Sequence, residues 1–147
     1  MILFYSSSDF QNVSHSAHLG VVTSPNYPEK YPNNLNKWTK RIEVEEGLVL
    51  SLKFTAFDVE DGANWSGGSK CSFDYLEIFD EKKNQLMKSC GSSLPDPITT
   101  KTNIVDLVFV TDGSEQKNGW EITWTAMKQG GGGSPIHLAL HCVFFMR

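Results

Sequence analysis

The chain has 147 residues, with 13 basic and 17 acidic side chains and a formal net charge of −4. This length suits one ordinary domain with tails, and 39% hydrophobic with 20% charged residues is typical of a globular protein. The mild acidity argues against nucleic acid as a partner, because phosphate binding requires a basic surface. No run of about 18 apolar residues occurs, so we expect no membrane span.

Composition divides the chain into three parts. Residues 1–18 are polar and aperiodic, whereas residues 19–127 contain nearly all of the regular patterning. A glycine-rich linker follows at residues 130–134, and residues 135–147 form a short apolar tail. We therefore predict an unstructured segment over 1–18, one domain over 19–127, and a linker with a tail over 128–147. The sequence leaves the role of the tail open.

Apolar residues inside the predicted domain repeat at every second position, which indicates half-buried strands. The alternation is clearest at residues 48–54 and 120–126, and three further strands are predicted at residues 38–44, 73–79 and 104–110. No segment shows the helical period of 3.6. Polar turns separate the strands, so the pattern favours an antiparallel sandwich or barrel.

Aromatic side chains at strand spacing are predicted to pack in the core. They are Trp38, Phe54, Phe57, Phe79, Phe109, Trp120 and Trp124. Trp65 lies in a polar loop and is a candidate contact residue, although its ring could equally fold back on its own loop.

The distribution of histidine argues against an enzyme. All four histidines, His15, His18, His137 and His141, lie in the predicted tails. Nucleophilic catalysis with an imidazole base requires a histidine that the fold holds rigidly. Although two of these histidines, and another pair with Cys142, have metal-like spacing, we predict no specific site in unstructured tails. The chain is therefore predicted to be non-catalytic.

The three cysteines leave two interpretations open. Cys71 and Cys90 lie inside the domain and Cys142 lies in the tail. One disulfide with a leftover thiol suits a secreted module, whereas three reduced thiols suit a cytosolic protein. Residues 1–10 lack the basic and long apolar regions of a convincing signal peptide. A secreted origin would therefore make this chain a fragment of a longer protein.

Several short motifs occur in an order that resembles the CUB domain family over about residues 19–127. The motifs are Gly-Val-Val-Thr-Ser-Pro-Asn-Tyr-Pro at 20–28, Tyr-Pro at 31–32, Phe-Thr-Ala-Phe-Asp-Val-Glu at 54–60, Cys-Ser-Phe-Asp-Tyr at 71–75, Cys-Gly at 90–91, Phe-Val-Thr-Asp at 109–112 and Gly-Trp at 119–120. The resemblance implies an all-β fold, a jelly-roll-like antiparallel β-sandwich. It also implies an extracellular, non-catalytic module.

The resemblance implies a single disulfide between Cys71 and Cys90. Many CUB domains have a second bridge, which would require one cysteine ahead of Gly20 and another just before Trp38. Position 37 is a lysine, and residues 1–19 contain no cysteine. The single-bridge pattern resembles the first CUB domain of complement-type proteases.

The resemblance further implies a calcium site. In calcium-binding members, carboxylates at the positions of Glu60, Asp74 and Asp112 converge on one ion, with Ser114 as a further ligand and Tyr31 in support. From spacing alone, the three acidic residues would be ordinary solvated carboxylates in turns. Ca²⁺ prefers six to eight oxygen ligands, which these side chains can supply in part.

Two features bear on what such a site would bind. Glu115 stands where the family usually has asparagine, which leaves one ligand open. Three carboxylates and one Ca²⁺ leave a net charge of about −1, which would attract a lysine or arginine of a protein partner.

We therefore predict an extracellular, Ca²⁺-dependent protein-binding module from a multidomain protease or receptor-like protein. The alternative is a carbohydrate- or glycosaminoglycan-binding module of the spermadhesin type, although the net charge of −4 opposes binding to polyanions.

Two glycosylation sequons occur, at Asn12 and at Asn64. The second lies in a glycine-rich loop between Glu60 and Asp74, where a glycan would shade one side of the predicted calcium site. Sequons suit a secreted protein, but they also arise by chance.

Overall fold

The computed structural model describes residues 18–62 and 71–130, and the structural statements below concern these residues. They form eight strands and no helix, so no helix in this part of the chain is long and apolar enough to cross a membrane. The strands are β1 (Leu19–Thr23), β2 (Trp38–Glu43), β3 (Leu48–Asp58), β4 (Tyr75–Asp80), β5 (Gln85–Ser89), β6 (Ile98–Thr99), β7 (Ile104–Val110) and β8 (Gly119–Lys128). The sequons, Trp65, Cys142 and every histidine except His18 lie outside the described residues.

The strands form two four-stranded antiparallel sheets. One sheet has the order β1-β8-β3-β6, and the other has the order β2-β7-β4-β5. Every neighbouring pair of strands is antiparallel. This arrangement confirms the predicted all-β, jelly-roll-like sandwich. The last strand ends at Lys128, one residue past the predicted domain boundary.

The core lies between the two sheets and follows the predicted alternation. Strands β3 and β8 contribute Leu50, Leu52, Ile122 and Trp124, and strands β4 and β7 contribute Leu76, Ile78, Leu107 and Phe109, all buried. Successive residues of a strand point to opposite faces, so one face of each of these strands packs in the core. Trp120, which is fully buried, has edge-to-face contacts with Trp38 and Phe109 at centroid distances of 5.9 and 5.8 Å.

A β-bulge in β3 changes which face its later residues occupy. The pairing register with β8 shifts between Phe54 and Ala56. Because of the shift, Phe54 and Phe57 both reach the core although they are three positions apart. The changed phase also buries Val59, just before Glu60. The predicted alternation over residues 48–54 lies before the bulge and is confirmed at Leu50, Leu52 and Phe54, although Val49 is also buried.

The structure differs from the sequence predictions in β4 and at the neighbouring edge strand β5. Strand β4 begins at Tyr75, and Phe73, which was predicted to lie within it, is 44% exposed. Phe79 is only half-buried and lies outside the core, because the inward-facing residues of β4 are Leu76 and Ile78. Residues of β5 are largely exposed, so this strand has no hydrophobic alternation from which to predict it.

The disulfide between Cys71 and Cys90 is formed, as the resemblance implies. It closes a loop with a sequence separation of 19 residues. In the chain-entropy model, closing such a loop stabilises the fold by about 3 kcal/mol. Cys71 lies three residues before Asp74, so the bridge ties the start of this acidic segment to the end of β5.

Candidate metal centre

Three carboxylates meet at one place in the fold. Glu60 follows β3, Asp74 precedes β4, and Asp112 follows β7. Each offers one carboxylate oxygen, and these oxygens all lie within 4.8 Å of one another. The first residue of β4 pairs with the last residue of β7, Val110, so this register alone brings Asp74 close to Asp112.

Asp74 is the fully buried centre of the cluster, and both of its oxygens accept hydrogen bonds. The Tyr31 hydroxyl donates to Oδ2 at 2.7 Å, and the Asp112 amide donates to Oδ1 at 2.7 Å. The same hydroxyl accepts a hydrogen bond from the Glu60 amide at 3.1 Å. Tyr31 therefore links the acidic segments that contain Glu60 and Asp74. Burial, reinforced by the bond to Asp74, raises the pKa of Tyr31, so the hydroxyl stays a neutral donor.

The loop after Tyr31 holds the segment that contains Asp112 in place. The Asn34 amide donates to the Asp112 carbonyl at 2.6 Å, and the Asn33 side-chain amide donates to the Gly113 carbonyl at 3.1 Å. Ser114 folds back on Asp112, with its amide 2.8 Å and its hydroxyl 3.4 Å from Oδ1. Neither asparagine was predicted as a site residue, because their only signal in the sequence is their position after the Tyr-Pro motif.

The next turn of the chain ends in a close approach at Gly119. Its φ of +88° is in the left-handed region, and an added Cβ would collide with the Ser24 hydroxyl. The Ser24 hydroxyl accepts the Trp120 amide hydrogen bond at 3.0 Å. Glycine is required at position 119 because of its positive φ and because a side chain would collide with Ser24. The contact fixes where the loop after Asp112 re-enters the sandwich.

The electrostatics of the cluster favour a bound cation. Burial, and then the charges of Asp74 and Asp112, raise the pKa of Glu60. Burial also raises the pKa of Asp74, with a smaller contribution from the charge of Asp112, against the opposing effect of its two hydrogen bonds. Carboxylates in this environment are destabilised when ionised unless a positive charge compensates them.

One carboxylate oxygen of the cluster lacks a hydrogen-bond partner in the part of the chain that the structure describes. Glu60 is only 7% exposed, and its Oε2 atom is buried with no hydrogen-bond partner among the described residues. A buried oxygen of this kind costs free energy unless it is coordinated. Since the gathered side-chain donors are carboxylate oxygens, with no thiol or imidazole among them, the residues fit a hard cation such as Ca²⁺.

Glu115 and Lys117 form the outer part of the loop. Glu115 lies outside the carboxylate cluster, and its Oε2 is 3.8 Å from the Lys117 ammonium. The Lys117 backbone carbonyl accepts the Tyr31 backbone amide at 3.1 Å. Glu115 stands out in the sequence as a departure from the family pattern, whereas nothing in the sequence singles out Lys117.

Comparison with known proteins agrees with the fold. The family profile described as CUB domain matches residues 11–124. The chain belongs to the CUB domain family. The CUB domain is 36% identical over 107 residues to Tolloid-like protein 1 of Homo sapiens, which covers 71% of this chain and 10% of that protein. It is 34% identical over 118 residues to Neuropilin-1 of Rattus norvegicus, covering 78% of this chain and 13% of that protein.

One similar solved structure contains bound Ca²⁺. The MASP-1 CUB2 domain bound to Ca²⁺ is 30% identical to this CUB domain, with a TM-score of 0.65, and the match covers 74% of this chain and 93% of that one. The chain described here spans only about a tenth of the length of the multidomain relatives named above. The similarity therefore concerns the CUB domain and not the activities of the whole proteins.

Proposed function

We propose that this CUB domain is a non-catalytic extracellular module that binds one Ca²⁺ and, through the loaded site, a basic side chain of a protein partner. Glu60, Asp74 and Asp112 hold the ion, Ser114 contributes an oxygen, and Tyr31 positions the carboxylates. The observation that carries the proposal is the gathering of three carboxylate oxygens within 4.8 Å around a buried, partnerless Glu60 oxygen. When bound, Ca²⁺ neutralises charges that otherwise repel each other.

The net charge of the Ca²⁺-loaded site indicates which kind of partner it attracts. Three carboxylates and one Ca²⁺ sum to −3 + 2 = −1, and Asp112 is only partly buried, so this negative charge is open to solvent. A lysine or arginine from a partner can form a charge-assisted hydrogen bond there. A glycosaminoglycan would meet an acidic surface, so charge disfavours the spermadhesin-type alternative. The multidomain relatives and the disulfide support an extracellular location in a longer protease or receptor-like protein.

Calcium titration of the wild-type domain tests the metal part of the proposal. Because Ca²⁺ binds the folded state, the melting temperature should rise with its concentration, by the equivalent of about 2.7 kcal/mol at one hundred times Kd. EDTA should reverse the rise. We expect Asp112→Ala to abolish it while the sandwich stays folded, as judged by circular dichroism.

The matched control is Glu77→Gln. Glu77 lies on β4 within 3.9 Å of the Lys88 ammonium and outside the cluster, so its loss should leave the calcium response intact. A melting temperature of the wild type that does not respond to millimolar Ca²⁺, with no heat of binding in calorimetry, would contradict the metal part of the proposal.

A small lysine probe tests the recognition of a basic side chain. Nα-acetyl-lysine amide should shift the amide resonances of residues 112–118 in the Ca²⁺-loaded domain, because the ammonium is attracted to the exposed negative charge. The norleucine analogue, which has no ammonium, should leave these resonances unchanged at the same concentration. Equal shifts from both probes would refute recognition of a basic side chain.

A further inference from the structure

Strand β1 has an open edge. It is the outermost strand of its sheet, with β8 on one side and no strand on the other among the described residues. Its sequence is Leu-Gly-Val-Val-Thr, without a charged residue or a proline. Natural proteins protect such edges with charges, with prolines or with a covering segment, because an open edge can pair with another strand. Since β1 has neither charge nor proline, we expect a covering segment.

The pairing of β1 with β8 shows which backbone groups face the open edge. The His18 carbonyl accepts the Ala126 amide at 2.7 Å, and the Ser24 amide donates to the Trp120 carbonyl at 2.9 Å. Hydrogen-bonded and non-hydrogen-bonded pairs alternate along an antiparallel ladder. Every second residue from His18 to Ser24 therefore bonds to β8, and the residues between them direct their amides and carbonyls to the open edge. These open-edge residues are Leu19, Val21 and Thr23.

Two of the open-edge residues also expose large apolar side chains. Leu19 is 73% exposed and Val21 is 59% exposed. Because residues two apart on a strand share a face, they form one apolar strip beside the unpaired backbone groups. An extended segment with alternating apolar residues suits this edge, since it would gain both backbone hydrogen bonds and cross-strand apolar contacts.

The tail of this chain has such an alternation. It lies outside the described residues and follows the glycine-rich linker at residues 130–134. Its apolar positions Ile136, Leu138, Leu140 and Cys142 alternate with His137, Ala139 and His141. The strand that leads into the linker is β8, which lies directly beside β1, with Thr125 paired to Leu19.

The linker is long enough for the tail to reach β1. The open side of β1 is two strand spacings from β8, about 10 Å. Residues 129–135 can span roughly 20 Å when extended, which also covers the return from Lys128 to the level of Leu19. Reaching the other end of β1 first would take nearly the full length of the linker. The tail therefore enters beside Leu19 and runs parallel to β1.

Tethering favours the tail over a second copy of the chain. A stable dimer buries about 1,200 Å² or more. The edge offers one strand of five residues and two exposed apolar side chains, which is little for such an interface. A segment joined by a short linker needs far less contact, because its effective concentration is in the millimolar range.

We propose that residues 136–142 add a strand to the open edge of β1, with Leu138 and Leu140 packed beside Leu19 and Val21. The added strand extends that sheet from four strands to five. The inference does not depend on the proposed function, because no residue of the carboxylate cluster belongs to β1 or to the tail.

Amide hydrogen exchange, measured residue by residue by NMR on the full chain, tests the added strand. The open-edge amides should exchange at least about tenfold more slowly in the wild type than in a Leu138→Asp, Leu140→Asp double variant, because the docked tail gives them acceptors. The amides of Gly20 and Val22 bond to β8 and should exchange alike in both proteins. Their unchanged protection shows that the sandwich of the variant is folded.

Three further variants of the full chain are matched controls. Gln129→Asp with Ser134→Asp adds the same two charges outside the alternating segment and should leave the open-edge amides slow. Val21→Lys places a charge at an exposed position of the edge itself, so it should release the tail while the sandwich stays folded. Thr99→Lys places the same charge at an exposed position of β6, on the other edge of the sheet, and should leave the tail docked.

Three outcomes would overturn the proposal, and each assigns the edge differently. Fast exchange of the open-edge amides in the wild type means that the tail does not cover β1. Slow exchange that depends on protein concentration, with a dimer in sedimentation, means that a second copy covers it. Slow exchange that is independent of concentration and unchanged in the aspartate double variant means that another segment covers it.

Discussion

Replacing Asp74 by asparagine should lower the Ca²⁺ affinity more than a hundredfold and leave the calcium-free domain folded, with a stability that depends less on pH than that of the wild type. Asp74 is fully buried at the centre of the carboxylate cluster, so its charge is close to any ion held there. Asparagine has almost the same shape. Its oxygen can accept the Asp112 amide, and its amino group can donate to the Tyr31 hydroxyl, but the hydroxyl hydrogen then loses Asp74 as its acceptor.

The raised pKa of Asp74 determines how the stability of the calcium-free domain changes with pH. Burial raises the folded-state pKa of Asp74 above its unfolded value. The associated stability is fully present below the unfolded pKa of about 3.9 and is lost as the pH rises through the folded-state pKa. Above the folded-state pKa, the calcium-free wild type has lost it, whereas the asparagine variant has no charge to bury.

Urea unfolding in EDTA and calorimetry with Ca²⁺ measure the two effects. We expect the stability of Asp74→Asn in EDTA to vary less than that of the wild type between pH 4 and pH 7. If the variant retains wild-type calcium affinity, Asp74 is not part of the ion's site. If the variant is severely destabilised in EDTA, the hydrogen bonds of Asp74 require a charged carboxylate, and the buried charge has a structural role.

Replacing Trp120 by alanine should destabilise the domain by about 3–5 kcal/mol, the usual cost of truncating a buried tryptophan. Trp120 is fully buried and packs edge-to-face on Phe109, whose ring packs in the same way on Tyr31 at 5.1 Å. Because Tyr31 positions the acidic segments, the cavity should also weaken Ca²⁺ binding. The core and the metal centre are connected through this aromatic row.

Two variants test that connection. Trp120→Phe should cost less than the alanine variant, because it leaves a smaller cavity. The loss of Nε1 forfeits no hydrogen bond, since this buried atom has no partner among the described residues. Leu50→Ala makes a cavity away from the aromatic row. Leu50 is buried and pairs with Ala126 near the far end of β8. It should destabilise the fold with little effect on Ca²⁺ affinity. Equal losses of affinity in Leu50→Ala and Trp120→Ala would refute a specific role for the aromatic row.

The fold class could be predicted from sequence because the central strands each bury one face. At residues 48–54 and 120–126, a period of two is the direct consequence of that burial. Strands β5 and β6 could not be predicted in the same way. Residues of β5 are mostly exposed, and β6 has only two residues, so backbone pairing with β4 and β3 defines them.

The identities of the candidate ligands were also available before the structure, through the family motifs around Glu60, Asp74 and Asp112. Spacing alone favoured solvated turns, because nothing local in the sequence indicates that distant carboxylates meet. The opposing charges of Glu115 and Lys117 are likewise visible in the sequence. Their contact, and the attachment of Lys117 to Tyr31, are not.

Only the tertiary structure decided that the three carboxylate oxygens lie within 4.8 Å. The bulge after Phe54 sets the phase in which β3 ends before Glu60, and the pairing of Tyr75 with Val110 brings Asp74 to Asp112. Three carboxylates repel one another and resist burial, so no local preference favours their meeting. The non-local packing of both sheets and of Tyr31 supplies the free energy that holds them together.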